Sequence, residues 1–434
     1  MRPSSIKVVP NGLSLIIGNA MKTQNKIISI PLYANSRDLI MGQSLFSGAF
    51  YLVIPFLVLF MHDSLRLSGE IIGFAVGLRF FAQQMMYMKS DQLAHSIGGK
   101  NLLLLGCMTQ ASGFLCLAFA SQPNLLIAGV LLTGIGGALF APAKSLLLNE
   151  AGEGDHKLKS GKVLELGNSV AIAGELGAIV GPLLGFWLVD LGFHTLAWGG
   201  VLVFVAAMIW LAQKLPASFY YPELPKQKGS WQNVLQNRRF LVFVLAYSSY
   251  LLSYSQLFLA LPLTLRHLGG ESEYIGLLFA FSVLISALVQ KGLRSFTNRK
   301  ESQLLVMGFS TLSLAFIYMA FIAIRHQTTG WHGYLPLLMF VFLINCGQIL
   351  IVPTAKRLVS YFANGNDTAP YYQALALSGG FAVLVGSPII GELMEATRHS
   401  LTLAGLPWFV MALFPALSAM AIGLMFPTTP ARAY

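Results

Sequence analysis

The sequence predicts an all-α polytopic membrane protein whose twelve transmembrane helices form two pseudo-symmetric six-helix bundles. Three observations predict this fold class: long apolar runs, an uneven distribution of basic residues between alternate loops, and an internal repeat. Of the 434 residues, 55% are hydrophobic and only 10% are charged, whereas soluble domains carry about 25% charged residues. Many windows of about 20 residues lack any charge, and that length crosses the ~30 Å of bilayer hydrocarbon as a helix.

The apolar runs divide the chain into two groups of six candidate spans. Between them lies a linker rich in Pro and Lys at 214–239, so the bundles occupy 37–213 and 240–426. Residues 1–36 are basic and only weakly apolar, unlike a signal peptide, so we expect them to form a cytoplasmic tail, with a second tail at 427–434. The predicted spans are 38–62, 70–89, 101–120, 123–147, 164–189, 193–213, 240–265, 271–291, 302–324, 334–358, 371–395 and 402–426.

Lys and Arg are distributed unequally between the two sides of the predicted membrane. With both termini in the cytoplasm, twenty-three lie in inside segments, Arg79 lies within a span, and four lie in outside loops: Arg66, Arg266, Arg325 and Arg398. Cytoplasmic loops of membrane proteins carry this excess. We therefore expect a multi-pass protein of the inner membrane with cytoplasmic termini. The net charge of +11 is explained by loops facing anionic lipid, and no nucleic-acid partner is expected.

Four short matches relate the two halves in the same order, at offsets between 202 and 212 residues. A repeated order at a nearly constant offset indicates a six-plus-six duplication. Parallel repeats of this kind place a substrate site near the bilayer midplane, between the halves. The matched stretches are 68–73 with 271–276, 102–106 with 304–308, 142–146 with 353–358, and 181–185 with 387–391.

Three stretches of the first half carry a resemblance to a known family. They are 73–84 in span 2, 134–143 in span 4, and the Gly-Pro motif at 177–185 in span 5. The chain resembles the major facilitator superfamily (MFS), and within it MdtH-like drug:proton antiporters and related siderophore exporters. The resemblance implies alternating access between two bundles. With the repeat in span 11, it implies packing and gating roles for Gly177, Gly181, Pro182, Gly185, Pro388 and Gly391.

The chain departs from the family pattern in the loop between spans 2 and 3. His95 and Ser96 stand where relatives have Asp and Arg, and Asp91 stands where they have Gly. Val130 also replaces an arginine common in span 4 of drug antiporters. We therefore expect the charge relay of relatives to be altered, with Asp91 and Lys100 able to rebuild part of it. Asp91 and His95 remain candidates for proton coupling.

Two charged residues lie in the middle of predicted spans, Arg79 in span 2 and Glu175 in span 5. A charge at mid-membrane costs at least ~2.5–3.5 kcal/mol on insertion scales and is a functional candidate by default. Glu175 shares a helix face with Asn168, about 120° from Gly181, so it is either a proton-coupling group or a structural carboxyl. Arg79 shares a face with Gln83. It could contact an anionic substrate, pair with Glu175, or act as a conformational lock.

The second half contributes polar rather than charged candidates. Three tyrosines recur at helical spacing in span 7, and two amides lie three residues apart in span 10. Lipid offers such groups no partner, so they face a cavity or a neighbouring helix, and both placements stay open. An aromatic and amide wall suits a large amphipathic ligand better than a small ion. The cavity candidates from these spans are Tyr247, Tyr250, Tyr254, Gln256, Asn345 and Gln348.

The function expected from these features is secondary active export of a small amphipathic molecule, a drug or a siderophore, in exchange for protons. We expect the protein to act as a monomer. An uptake symporter or a lysophospholipid transporter on the same fold stays an alternative. An integral-membrane lipid enzyme is a distant one, because its His, Asp and Glu cluster is not seen. The sequence has no phosphate-binding loop. Its three cysteines lie in apolar runs and predict neither a disulfide nor a zinc site, so no cofactor or metal is expected.

Overall fold

The computed structural model describes residues 36–153, 160–215, 231–292, 300–325, 334–365, 367–398, 400 and 403–426. All regular secondary structure in these residues is helical. The two predicted tails and most of the predicted linker lie outside the described residues. The predicted all-α fold class is confirmed.

Twelve helical spans follow one another within the described residues, in the predicted order. Span 1 is Ser36–Val53, continued by short turns to Ser64, and span 7 is Arg238–Ser255 followed by Ala260–His267. A short helix, Trp231–Gln236, precedes span 7. The other spans are Gly69–Ile97, Gly99–Ala118, Pro123–Glu153, Ser160–Leu188, Phe193–Lys214, Tyr274–Gly292, Glu301–Arg325, Tyr334–Ala363, Ala369–Ala396 and Leu406–Met425.

Span 2 differs from the other spans in its polarity. Ten of the twelve are long and apolar enough to cross a membrane, and span 8 contains a shorter apolar helix, Tyr274–Gln290. Span 2 does not reach that apolarity because it carries Arg79, Gln83, Gln84 and Lys89. Polar residues are tolerated in a membrane helix when they face other helices or a cavity. Span 2 is therefore expected at an interior position, and its packing agrees.

Each half of the molecule uses the same set of helix contacts. In the first half span 1 packs on spans 5 and 6, span 3 on spans 4 and 6, and span 2 on span 4. In the second half the equivalent contacts recur six spans later: span 7 with 11 and 12, span 9 with 10 and 12, and span 8 with 10. The duplication inferred from short sequence matches is thus reproduced by the packing.

Spans 2 and 11 form the largest seam between the two bundles. Small residues at every fourth position of span 2 allow the two backbones to touch. A Cβ atom at Gly73 would lie 2.8 Å from the Cα of Pro388, and one at Gly77 would lie 2.9 Å from the Cα of Leu384. Farther along the same seam, Gln373 Nε2 donates a hydrogen bond of 3.2 Å to the Met88 carbonyl. Span 2 therefore contacts the other bundle along most of its length.

The glycines of span 5 face span 1 within the first bundle. A Cβ atom at Gly177 would lie 3.1 Å from the Gly48 backbone nitrogen, and one at Gly181 would lie 3.1 Å from that of Leu52. Gly185 packs against the ring of Phe56. Pro182, on the same helix, meets Gly276 of span 8, where the second contact between the bundles lies. Span 5 thus uses its small residues for close packing on two sides.

The close backbone contact of spans 2 and 11 predicts that a larger side chain in this seam destabilises the protein. We expect Gly73→Val to lower the free energy of unfolding by about 1–3 kcal/mol, because overpacking a close contact displaces backbone. The measurement is the thermal unfolding midpoint of purified protein in one detergent, followed by tryptophan fluorescence. Gly167→Val is the matched control, because a Cβ atom there meets nothing within 4 Å. Equal midpoints for the two variants would contradict the close packing of spans 2 and 11.

Candidate functional site

A group of aromatic rings lies where the two bundles meet. The Phe80 ring lies 5.6 Å from that of Phe258, and Phe258 lies 5.0 Å from Phe279. The Tyr51 ring is 6.5 Å from Phe279. Spans 1 and 2 of the first half and spans 7 and 8 of the second therefore all contribute. We call the following set the central aromatic cluster: Phe50, Tyr51, Phe80, Tyr247, Tyr250, Tyr254, Phe258 and Phe279.

The tyrosines of span 7 form a ladder within this cluster. Ring centroids are separated by 5.4 Å between Tyr247 and Tyr250, and by 6.2 Å between Tyr250 and Tyr254. Aromatic pairs at such separations attract one another. The Tyr250 side chain interacts with that of Gln348, and the Tyr254 hydroxyl interacts with Tyr51 from the other half. The ladder thus links span 7 to span 10 and to span 1.

Arg79 is the charged group of the cluster. It lies ten residues after the start of span 2 at Gly69, which corresponds to about 15 Å of helix and hence about half of the hydrocarbon thickness. Its side chain is only 4% exposed. The guanidinium carbon lies 4.8 Å from the Phe50 ring centroid, 5.4 Å from that of Phe80 and 5.8 Å from that of Phe258.

The surroundings of Arg79 contain hydroxyl groups rather than acids. Within the described part of the chain, the ionisable side chains acting on its charge are Tyr51, Tyr87 and Tyr254. Its Nε atom has no hydrogen-bond partner there. Each cation–π contact contributes about 0.5–2 kcal/mol, which offsets a large part of the ~2.5–3.5 kcal/mol insertion cost. The rings stabilise the buried cation without using all of its donors.

Gln83 lies one helical turn beyond Arg79, on the same face of span 2. Its Nε2 atom donates to the Tyr87 hydroxyl over 3.4 Å, and its side chain is half-buried. Glu175 is also half-buried, on span 5, whereas Asn168 on the same helix is exposed. The structure therefore brings Arg79, Gln83 and the span 7 tyrosines together, and it does not bury Asn168 with them.

The amides of the second half differ from one another in their surroundings. Asn345 is buried, and its Nδ2 atom donates to Ser282 and to the Val341 carbonyl, both at 2.8 Å. Its Oδ1 atom accepts from Ser286 at 2.7 Å. These bonds tie span 10 to span 8. Of the two placements the sequence leaves open, Asn345 takes the interhelical one.

The remaining candidates bond within their own helix, are exposed, lie in the seam, or fall outside the described side chains. Gln256 is buried and donates to the Leu252 carbonyl of its own helix at 3.0 Å. His95 is exposed near the far end of span 2, and the Asp91 side chain lies outside the described part. Pro388 and Gly391 sit in the seam with span 2. Among the described residues, no group of three or more His, Cys, Asp or Glu is placed to hold a metal ion.

An ion pair joins the bundles at the end where span 1 finishes. Arg266 Nε lies 3.1 Å from Asp63 Oδ2, and His62 Nδ1 lies 2.7 Å from Asp63 Oδ1. Nearby, the Glu395 carboxylate accepts a hydrogen bond from the Gly69 N–H at the start of span 2. A carboxylate is favourable at a helix N-terminus. Both contacts join one half of the molecule to the other.

Sequence reasoning missed this ion pair and most rings of the cluster. The sequence around a phenylalanine in an apolar span does not show whether its ring lines a cavity or faces lipid. Phe50 and Phe258 could therefore not be recognised as cluster residues. Asp63 and Arg266 did offer one. They are 203 residues apart, which is the offset of the first repeat match, and repeat-equivalent positions near a pseudo-two-fold axis face one another.

The fold and the site together define a membrane transporter: two repeated helical bundles enclose a polar and aromatic cluster at mid-membrane. Residues 39–387 match the family model of the Major Facilitator Superfamily. The chain belongs to this superfamily, and its resemblance to that family is confirmed. This membership points to transport and not to an enzyme.

Individual relatives and solved structures agree with this assignment. The chain is 27% identical over 369 residues to the multidrug resistance protein MdtH of Yersinia pestis (strain Pestoides F), covering 84% of this chain and 87% of the relative. The same values hold for MdtH of Yersinia pseudotuberculosis serotype O:1b (strain IP 31758). The nucleoside transporter NupG has a TM-score of 0.74 at 16% identity, covering 90% of this chain and 99% of that chain. A POT family transporter in complex with 5-aminolevulinic acid has a TM-score of 0.72 at 12% identity, covering 90% and 96%.

Breaking the ion pair between the bundles should loosen that end of the molecule. We expect Asp63→Asn to speed labelling of a cysteine introduced at Gln83 by an impermeant thiol reagent added from the Asp63 side. Partly exposed ion pairs contribute about 0.2–1 kcal/mol, which corresponds to at most roughly a five-fold change. The measurement is the labelling rate after alanine replacement of Cys107, Cys116 and Cys346.

The charge swap Asp63→Arg with Arg266→Asp restores the attraction, and we expect it to restore the slow labelling rate. Asp190→Asn is the matched control, since Asp190 is an exposed carboxylate near the same end. An unchanged rate in Asp63→Asn, or no rescue by the swap, would argue against a closing role for the pair.

Asn345 should behave as a structural residue. We expect Asn345→Ala to destabilise the protein by about 0.6–1.7 kcal/mol, the mean and the maximum found for hydrogen bonds between membrane helices, because Ser282 and Ser286 lose their shared partner. Thermal unfolding in detergent measures the effect, and Ser360→Ala, at an exposed position of the same helix, provides the comparison. A loss of stability no greater than that of Ser360→Ala would mean that the Asn345 amide does not hold spans 8 and 10 together.

Proposed function

We propose that this protein exports an amphipathic small molecule, a drug or a siderophore, across the inner membrane in exchange for protons. The observation that carries the proposal is the central aromatic cluster with Arg79, which lies between two repeated bundles at mid-membrane. Similarity to proteins named multidrug resistance protein MdtH supports an efflux role. The substrate site would be the cluster itself, where both bundles can contact one ligand.

The proposed mechanism is alternating access by rocking of the two bundles about the central site. With both termini in the cytoplasm, as the Lys and Arg distribution favours, the Asp63–Arg266 pair lies on the outer face. The structure is therefore closed at its outer end. Opening outward would separate Asp63 from Arg266 and the Gly69 N–H from the Glu395 carboxylate at the same end.

Glu175 is the proposed coupling group for protons. It is half-buried within span 5, beside but not within the glycine stripe that packs on span 1. A carboxyl in such a position changes protonation as its surroundings change between wet and dry. Protonation from outside and release inside would link the proton gradient to the position of span 5.

Uptake by symport is the second candidate function. The solved structures with the same fold include a nucleoside transporter and a POT family transporter in complex with 5-aminolevulinic acid. The direction of transport separates the two candidates. Proteoliposomes of known orientation, loaded in turn with a hydrophobic drug, a siderophore and a lysolipid, would report export as loss of substrate when a pH gradient is imposed. Accumulation inside the vesicles of substrate added from outside, against its concentration gradient, would instead favour the symporter.

The Glu175 hypothesis predicts a selective defect. We expect Glu175→Gln to reduce transport driven by the pH gradient at least ten-fold, because the amide cannot take up a proton, while substrate exchange without a gradient continues. Glu165→Gln, an exposed carboxylate on the same helix, should transport normally. Substrate flux in proteoliposomes measures both. Gradient-driven flux at the wild-type rate in Glu175→Gln would exclude this residue as the coupling group.

A further inference from the structure

We propose that Arg79 binds a carboxylate group of the substrate, so that the transported class is an organic anion with an apolar or aromatic body. The proposal rests on the transport function proposed above and names the substrate chemistry of the same site. It concerns the guanidinium of Arg79 and the three rings that surround it, Phe50, Phe80 and Phe258.

The pairing of arginines in this molecule is the reverse of what burial would lead one to expect. Arg266 pairs with Asp63 at 3.1 Å and Arg357 with Glu301 at 3.9 Å, although both arginine side chains are more than a third exposed. Arg79 is 4% exposed, yet no ion pair with an acid is found for it among the described residues. Buried charges in proteins are normally paired. A counter-ion that the described residues do not supply to Arg79 can come from a ligand.

The geometry of the site suits a planar anion. Phe50, Phe80 and Phe258 lie within 6 Å of the guanidinium carbon and hold the cation by their ring faces. Nε remains without a partner among the described residues. A guanidinium presents its N–H donors as a planar fork that matches a carboxylate with two parallel hydrogen bonds. The rings fix the cation in place, and the Nε–H donor remains available for an acceptor.

The rings around Arg79 also determine which kind of ligand body fits the site. The tyrosine ladder of span 7 adjoins the Arg79 site through Tyr254 and Phe258, so an apolar or aromatic body would pack against rings while its carboxylate meets Arg79. A ligand held there touches Phe80 of the first half and Phe258 of the second. A permanent cation at this place would meet Arg79 in a medium of low dielectric, where like charges repel strongly. The site therefore selects anions.

Matched ligand pairs test this proposal without any gradient. Binding of 1-naphthylacetate and its neutral amide, and of decanoate and its amide, is measured by titration of the purified protein in lipid nanodiscs. We expect the wild-type protein to bind each carboxylate at least ten-fold more tightly than its amide. Arg79→Gln should abolish this preference and leave the amide affinities within three-fold. Arg79→Lys should keep the preference but weaken carboxylate binding, because an ammonium lacks the planar fork.

Arg357→Gln serves as the control, since it removes an exposed arginine far along the chain from the site, and it should leave the preference unchanged. Equal affinities within both pairs in the wild-type protein, including no binding of either member, would overturn the proposal. An equal weakening of carboxylate and amide in Arg79→Gln would also overturn it. Should Arg79→Gln fail to fold, the wild-type pairs and Arg79→Lys decide the question. A protein that shows the carboxylate preference but no gradient-driven export would refute the proposed transport function and not the binding role of Arg79.

Discussion

Hydrocarbon offers no hydrogen-bond partner to a side chain, and this constraint places almost every polar group of the molecule. It turns the polar face of span 2 toward the centre, and it pairs Asn345 with the serines of span 8. It also surrounds Arg79 with aromatic rings. The lipid-facing surfaces can then be almost wholly apolar, while the polar groups collect where the two bundles meet. The functional site therefore lies between the bundles because the lipid excludes polar groups from the outer surfaces.

Two kinds of contact hold the bundles together: a seam of backbone contacts and an ion pair. The seam of spans 2 and 11 depends on the absence of side chains at positions such as Gly73 and on backbone contact along its length. The ion pair of Asp63 and Arg266, by contrast, depends on one distance at one end. The first contacts of the seam, at Gly69, lie at that same end, so a rocking motion that opens it breaks the ion pair and parts the seam there. The central cluster, with rings from both halves, lies farther along the same interface.

The fold could be predicted from sequence because its signals are local: apolar run lengths, the sides on which Lys and Arg lie, and repeated short motifs. Arg79 and the span 7 tyrosines also stood out, because polar groups in apolar spans are rare. The phenylalanines around Arg79 could not be identified, since a cavity ring and a lipid-facing ring have the same sequence context. The role of Asn345 was undecidable for a related reason, because its partners Ser282 and Ser286 lie about 60 residues away in sequence.

The repeat-equivalent positions of Asp63 and Arg266 have a consequence for the origin of the chain. If two copies of the first half faced each other about the pseudo-two-fold axis, Asp63 would meet another Asp63, and two second halves would oppose arginine with arginine. Like charges brought together in this way disfavour the wrong partner. Opposite charges at one equivalent position therefore let each half recognise its complement and reject its own copy. Once duplication has allowed the two halves to diverge, electrostatics favours the pairing of unlike halves over any symmetric pairing of identical halves.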